Sequence, residues 1–97
     1  MKMQILIRHD DFLAKRYVLC AGNAGLEFAE EKDLFIIPYS EIKDFYITQN
    51  KRGKVYFTAL YSGHMLEGQI LDPKEIEPFT ALLKEKMNGI ISIEVRK

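Results

Sequence analysis

The sequence predicts a mainly β domain of the α+β class: a strongly bent antiparallel barrel of about seven strands, capped by one C-terminal helix and followed by a short extra strand. Three observations predict it. Short apolar runs separated by turn residues recur up to residue 71. Residues 34–47, LFIIPYSEIKDFYI, show a strand, a break and a second strand. Apolar residues at helical spacing follow Asp72-Pro73. At 97 residues, the chain is long enough for one domain, spanning 1–97, but not for two.

The first four predicted strands are short and separated by turns. Residues 2–8 alternate apolar and polar side chains, and residues 15–20 are rich in strand-forming types. The glycines and asparagine of residues 21–25, AGNAG, accept positive φ and predict a turn. Residues 26–29 and 34–37 are then expected to pair as a hairpin across a solvated turn, and Pro38 is expected at a strand end or on a sheet edge because it has no N–H to donate.

Three further strands are predicted over residues 43–49, 55–61 and 65–71. The first two flank a hairpin turn in which Gly53 is the expected positive-φ residue. Gly68 lies inside the last strand, where a missing side chain indicates a bulge or a close approach of another group. These strands complete a predicted set of seven.

The helix has a start signal in its sequence. Asp72 is expected to cap it, with Pro73 at the first position and Glu75 returning the capping bond. An interior proline breaks a helix, so the sequence favours a single turn over residues 73–76 and then a main helix with Pro78 in its first turn. The apolar stripe of this helix is interpreted as core and consists of Ile76, Phe79, Leu82, Leu83 and Met87.

The helix is expected to end at Asn88-Gly89, and residues 90–96 alternate once more as a strand. This terminal strand is expected either to add to the sheet of its own chain or to pair with another subunit in a symmetric dimer or larger ring. The fold prediction requires one shared interior, sealed by the helix, which contains Phe28, Ile37, Ile47, Phe57, Ile70, Phe79 and Leu83.

Three segments resemble the pleckstrin-homology-like superfold, in particular its small bacterial and GRAM-type branches: residues 25–28 (GLEF), residues 35–42 (FIIPYSEI), and residues 72–75 (DPKE) with the helix behind them. The resemblance covers roughly residues 24–87. It implies a binding module or scaffold, not an enzyme.

Some members of this superfold bind phosphoinositides through basic residues at the end of the first strand and the start of the second. The corresponding residues here are Arg8, Lys15 and Arg16. The basic-x-basic step of the family is absent, and Asp10 and Asp11 in the intervening loop would repel a phosphate. A protein partner or self-association is therefore the first expectation, and anionic lipid is the alternative.

Composition excludes several classes of function. The 14 basic and 14 acidic side chains give a net charge of zero, so we expect no nucleic-acid partner, because phosphate contacts need a basic excess. Cys20 is the only cysteine, which rules out an intrachain disulfide, and we expect it to be a small buried apolar group. No apolar run is long enough for a transmembrane segment, and a reducing cytoplasmic location is expected.

The only dense group of cations, Lys51, Arg52 and Lys54, lies on a predicted hairpin tip. It could meet an acidic protein surface or an anionic headgroup, and a solvated hairpin is the alternative interpretation. With the basic residues at the first and second strands, the candidate binding residues are Arg8, Lys15, Arg16, Lys51, Arg52 and Lys54.

The sequence predicts no catalytic, metal or cofactor site. It contains no recognisable nucleophilic triad, phosphate-binding glycine loop or pair of metal ligands. A small enzyme whose site forms only on oligomerisation, around His9, Asp10 or His64, is a third interpretation, although His9-Asp10-Asp11 is more simply explained as a polar turn. We therefore predict a non-enzymatic binding or assembly module that acts through a sheet edge or a hairpin.

Overall fold

The computed structural model describes residues 2–8, 14–87 and 93–96, the last of these in backbone only. It confirms a mainly antiparallel sheet with one C-terminal helix. The antiparallel strands are β1 Lys2–Arg8, β2 Ala14–Ala21, β3 Gly25–Ala29, β4 Leu34–Pro38, β5 Ile42–Gln49, β6 Val55–Tyr61 and β7 His64–Ile70. Helix α1 is Ile76–Met87, strand β8 is Ile93–Arg96, and 3₁₀ turns cover Tyr39–Glu41 and Pro73–Glu75.

The strands form one sheet in the order β4-β3-β2-β1-β7-β6-β5-β8. The extra strand after the helix is confirmed: β8 joins the sheet of its own chain, parallel to β5. The predicted closure into a barrel is not found among the described residues, where β4 and β8 are the two ends of the strand order. The sheet therefore has two edges. Residues 9–13 and the predicted helix end at Asn88-Gly89 lie outside the described residues.

The interior is shared, as the fold prediction requires. All seven residues predicted to line it are buried, from Phe28 on β3 to Leu83 on α1. Alternation explains this burial, because successive side chains on a strand point to opposite faces of the sheet. On β1, for example, Met3, Ile5 and Ile7 face the core. Burial of this apolar surface, at about 25 cal/mol per Å², is the main force that holds the domain together.

A column of aromatic rings runs through this interior from the β4 edge to the helix. Phe35 on β4 stacks on Phe28 with ring centroids 4.6 Å apart, and Phe28 lies 6.3 Å from Phe57. Phe57 lies 5.9 Å from Phe45, which lies 6.0 Å from Phe79 on α1. Ring contacts therefore connect the outer strand β4 with the centre of the core.

The start of the helix differs from the prediction in one respect. The single turn over Pro73–Glu75 and the position of Pro78 in the first turn of α1 are confirmed. Asp72, however, makes no capping bond with its side chain. Its carboxylate instead accepts a 3.1 Å hydrogen bond from the backbone N–H of Gln4 on β1. Asp72 therefore joins the helix entry to the sheet, a contact between residues far apart in sequence.

Two glycines behave as predicted. Gly53 has a φ of 85°, the left-handed conformation that the β5–β6 turn requires. At Gly68 on β7, neighbouring groups come close to the backbone: a Cβ there would overlap the ring of Phe57 and lie 3.1 Å from the carbonyl oxygen of Leu6. The missing side chain leaves room for the Phe57 ring beside β7.

Candidate functional site

The outermost strand β4 exposes apolar side chains to solvent. Leu34 is 60% exposed, Phe35 38% and Ile36 44%, whereas Ile37 is buried. We call this strand, Leu34–Pro38, the β4 edge. None of its five residues is charged. Edge strands in proteins are usually protected by lysines or inward-pointing charges, so an apolar edge is a site where another strand can pair.

The backbone of the β4 edge has donors and acceptors that point away from the sheet. The N–H of Glu30 donates to the carbonyl of Asp33 at 2.8 Å, which closes the β3–β4 hairpin. Hydrogen-bonded and non-hydrogen-bonded pairs alternate along an antiparallel ladder, so the opposed pair Phe28 and Phe35 bonds within the sheet. The N–H and C=O groups of Leu34 and Ile36 therefore face outward, and no described strand pairs with that side.

The C-terminal end of the β4 edge is held by Tyr39. Its hydroxyl donates a 2.5 Å hydrogen bond to the carbonyl of Gly22, and its N–H donates to the carbonyl of Ala24 at 3.3 Å. Burial, together with the nearby Cys20 and Glu27, raises the pKa of Tyr39 to about 12, so the hydroxyl remains a donor throughout the neutral range. These bonds fix the turn after β4 against the turn between β2 and β3.

The second candidate surface is a groove on the outer face of the sheet. The ladder between β1 and β7 is only two residue pairs long, Ile5 with Ile70 and Leu6 with Gln69. Beyond Leu6 the two strands diverge and leave a cavity of about 290 Å³. Its lining consists of Leu6, Arg8, Ala14, Lys54, Tyr56, Glu67, Gly68 and Gln69. We call it the β1–β7 groove.

The structure brings together only part of the predicted cationic set. Arg8 and Lys54 both line the β1–β7 groove, but Lys15, Arg16, Lys51 and Arg52 do not. Lys15 lies 3.9 Å from the carboxylate of Glu30 and is itself 45% exposed, so this ion pair contributes little.

The hairpin tip that carries Lys51 and Arg52 is a solvent-exposed turn. The side-chain carbonyl of Asn50 orders it by accepting hydrogen bonds from the N–H groups of Arg52 at 3.0 Å and Lys54 at 2.9 Å. Sequence reasoning missed this role of Asn50, although asparagine at the first position of a turn is its usual signal.

No group of three or more His, Cys, Asp and Glu side chains that could hold a metal ion is found among residues 2–8, 14–87 and 93–96. His64 is exposed at the start of β7, with its ring 5.7 Å from that of Tyr61. His9, Asp10 and Asp11 lie outside the described residues. Cys20 is only half-buried, contrary to expectation, because its position on β2 opposite Glu27 faces away from the core. Of the helices in the described part of the chain, none has the length and apolar character to cross a lipid bilayer.

No protein-family model matches the chain, and no curated protein matches its sequence. The candidate sites are therefore argued from geometry. The exposed apolar surface at β4 was missed by sequence reasoning, which placed Pro38 at a strand end or on a sheet edge but did not identify β4 as the end of the sheet. The signal was present: four consecutive apolar residues at positions 34–37, without alternation, make the strand apolar on both faces.

Proposed function

We propose that this chain is a non-enzymatic assembly module that joins another protein molecule by adding a β-strand at the β4 edge. The observation that carries the proposal is the exposure of Leu34, Phe35 and Ile36 on a strand whose outer backbone groups have no partner strand in the described part of the chain. In strand addition, main-chain hydrogen bonds supply affinity and alternate side chains supply specificity. The β4 edge offers both.

The chemistry of the edge defines the partner as an extended, apolar strand. Leu34 and Ile36 share one face of β4, while Phe35 lies on the other against Phe28. A strand added at β4 would continue both apolar faces, and it would meet the acidic turn at residues 30–33 at one end. A charged segment would leave these apolar faces uncovered. A proline-rich segment, which lacks N–H donors, would leave the outward carbonyl groups unpaired.

The first prediction concerns a peptide that can serve as such a strand. A fluorescently labelled peptide with the sequence of residues 30–40, EEKDLFIIPYS, should bind the dilute protein and raise the fluorescence anisotropy. Ile36→Lys should weaken binding at least tenfold, because it places a charge on the new apolar face. The Ile36 side chain is already partly in solvent, so folding stability should change by no more than about 0.5 kcal/mol.

The matched control is Met65→Lys, which introduces the same charge at another exposed apolar residue, 61% exposed on β7. It should bind the peptide as the unaltered protein does. A second control peptide carries proline in place of Ile36, which removes an N–H group that would donate to the β4 edge, and it should not bind. Equal binding by the Ile36→Lys and Met65→Lys proteins, or no binding of the peptide to either, would rule out the β4 edge as the assembly site.

Two broader features belong to the same proposal. Seven antiparallel strands followed by one helix support a pleckstrin-homology-like fold, whose members are mostly binding modules. The single cysteine supports action in the reducing cytoplasm, where thiols stay reduced.

Recognition of an anionic headgroup is the second candidate function, and the β1–β7 groove favours it. Arg8 and Lys54, far apart in sequence, line the same cavity beside the polar groups of Tyr56 and Gln69. Glu67 lies in the same lining and reduces the attraction for an anion. Two cations against one carboxylate favour a weak, salt-sensitive interaction with a phosphate-bearing surface.

Vesicle sedimentation tests this second candidate. If the groove binds headgroups, Arg8→Gln with Lys54→Gln should weaken binding to vesicles of equal parts phosphatidylserine and phosphatidylcholine about 30-fold, since each cation near an anionic membrane contributes about 1 kcal/mol. Lys51→Gln with Arg52→Gln is the control, with the same charge change outside the groove. Equal losses of vesicle binding in the two variants would assign the binding to overall charge. If the unaltered protein does not sediment with the vesicles, headgroup recognition is ruled out.

A further inference from the structure

We infer that the strand added at the β4 edge is the β4 of a second copy of this chain, paired antiparallel about a two-fold axis at Phe35. The inference rests on the proposed function and names its partner. Three features of the β4 edge support this pairing: the positions of the outward backbone groups, the charge at the two ends of the strand, and the aromatic contacts of Phe35.

The outward backbone groups select the register. Leu34 and Ile36 each present one N–H and one C=O to solvent. When Leu34 of one copy lies opposite Ile36 of the other, each N–H donates to the carbonyl of its opposite residue, and symmetry repeats the exchange. Every outward donor and acceptor of these two residues is then satisfied.

Neighbouring registers satisfy fewer groups. A shift toward the C-terminal end places Leu34 opposite Pro38, and because proline has no N–H, the carbonyl of Leu34 stays unpaired. A shift the other way places Ile36 opposite Lys32, which lies in the turn before the strand. The position of Pro38 therefore makes the register centred on Phe35 the best-paired arrangement.

Charge selects the antiparallel direction. The turn at residues 30–33, EEKD, has three carboxylates and one ammonium group. Parallel pairing would place the two acidic turns side by side, where like charges repel. Antiparallel pairing moves each acidic turn to the Pro38 end of the other copy. That end holds the ammonium group of Lys86, which donates a 3.0 Å hydrogen bond to Asn23, together with the carboxylate of Glu27 beside Gly22, so it repels an acidic turn less than a second acidic turn would.

Aromatic packing favours the same arrangement. Phe35 stacks on Phe28 at 4.6 Å and meets Tyr17 edge-on at 5.9 Å, which leaves 38% of it in solvent. On the two-fold axis, the two Phe35 residues form a non-hydrogen-bonded pair, in which Cβ atoms are about 4.5–5.5 Å apart. The aromatic columns of the two copies would then meet. Because both copies use the same edge, the assembly closes as a dimer and does not extend into a filament.

Cysteine cross-linking tests the register. In a Cys20→Ser background, Phe35→Cys should form a disulfide-linked dimer with oxidised glutathione, because opposed Cα atoms of such a pair are about 4.5 Å apart, within the range of a disulfide. We expect at least tenfold more covalent dimer than from Met65→Cys in the same background, which is the matched exposed control. On a denaturing gel, reduction should return both proteins to the monomer band.

The Phe35→Cys substitution also removes a ring that contributes to the interface, so a second experiment keeps Phe35 in place. Chains carrying Leu34→Cys and ¹⁵N-labelled chains carrying Ile36→Cys, which the label makes distinguishable by mass, should cross-link to each other in preference to themselves. Preferential self-linking of either variant would overturn the register. Absence of cross-links in both experiments, or a monomer mass for the unaltered protein by light scattering at all concentrations, would overturn the second copy as partner. Peptide binding at β4 would in that case still support the proposed function with a different partner.

Discussion

Replacing Phe57 with alanine is expected to lower the free energy of unfolding by about 3–5 kcal/mol. Phe57 is fully buried on β6 and lies between Phe45, at 5.9 Å, and Phe28, at 6.3 Å. Its ring also covers Gly68, which has no side chain to fill the space left behind. A domain of this size has a total stability of about 5–15 kcal/mol, so the substitution removes a large fraction of it.

Urea denaturation monitored by circular dichroism measures this loss. Phe57→Leu is the control, since it keeps most of the buried volume and should cost less than about 2 kcal/mol. Phe35→Ala removes the same ring at the partly exposed end of the column and should also cost less than Phe57→Ala. A Phe57→Ala protein within about 1 kcal/mol of the unaltered one would show that the aromatic column does not form the core.

Replacing Gly25 with alanine should destabilise the protein by about 3 kcal/mol or more, which exceeds the usual cost of overpacking. An added Cβ would overlap the carbonyl oxygen of Ile37 and lie 2.7 Å from its carbonyl carbon and 2.8 Å from the Cα of Pro38. All three atoms belong to the backbone, so no side-chain rotation can relieve the overlap. Strands β3 and β4 must separate, and the β4 edge should lose its peptide binding as well.

Gly22→Ala is the matched control for this substitution. The three atoms nearest to a Cβ at Gly22 all belong to the side chain of Glu27, which is flexible and can move aside. Urea denaturation of the two variants should therefore show a much larger loss for Gly25→Ala, and only this variant should fail to bind the labelled peptide. Equal stability of the two variants would contradict the close approach of β3 and β4.

Much of the fold was predictable because it depends on local pattern. Alternating or continuous apolar runs between turn residues identified the seven strands, and Pro73 with Pro78 identified a short turn before the main helix. The position of Pro38 at an edge also follows from its own chemistry, since proline cannot donate to a central ladder. These features depend on side-chain spacing and backbone preference, which are properties of neighbouring residues.

The contacts that define the candidate sites were not predictable in the same way. Arg8 and Lys54 line one groove because the β1–β7 ladder stops after Leu6 and Gln69. Asp72 bonds to Gln4, not to its own helix, because the folded sheet brings β1 beside the helix entry. The predicted barrel closure, which depends on how two distant strands meet, is likewise not found among the described residues.

The sequence by itself determined which segments are strands, where the helix begins and which side chains of the inner strands and the helix form the core, because each residue's period and type decide these matters locally. Only the tertiary structure decided that β4 is the last strand of the sheet. Strand order is set by pairings between residues far apart in the chain, and it alone determines which backbone groups and apolar side chains are left facing solvent. Leu34, Phe35 and Ile36 thus resemble core residues in the sequence and form an exposed edge in the fold.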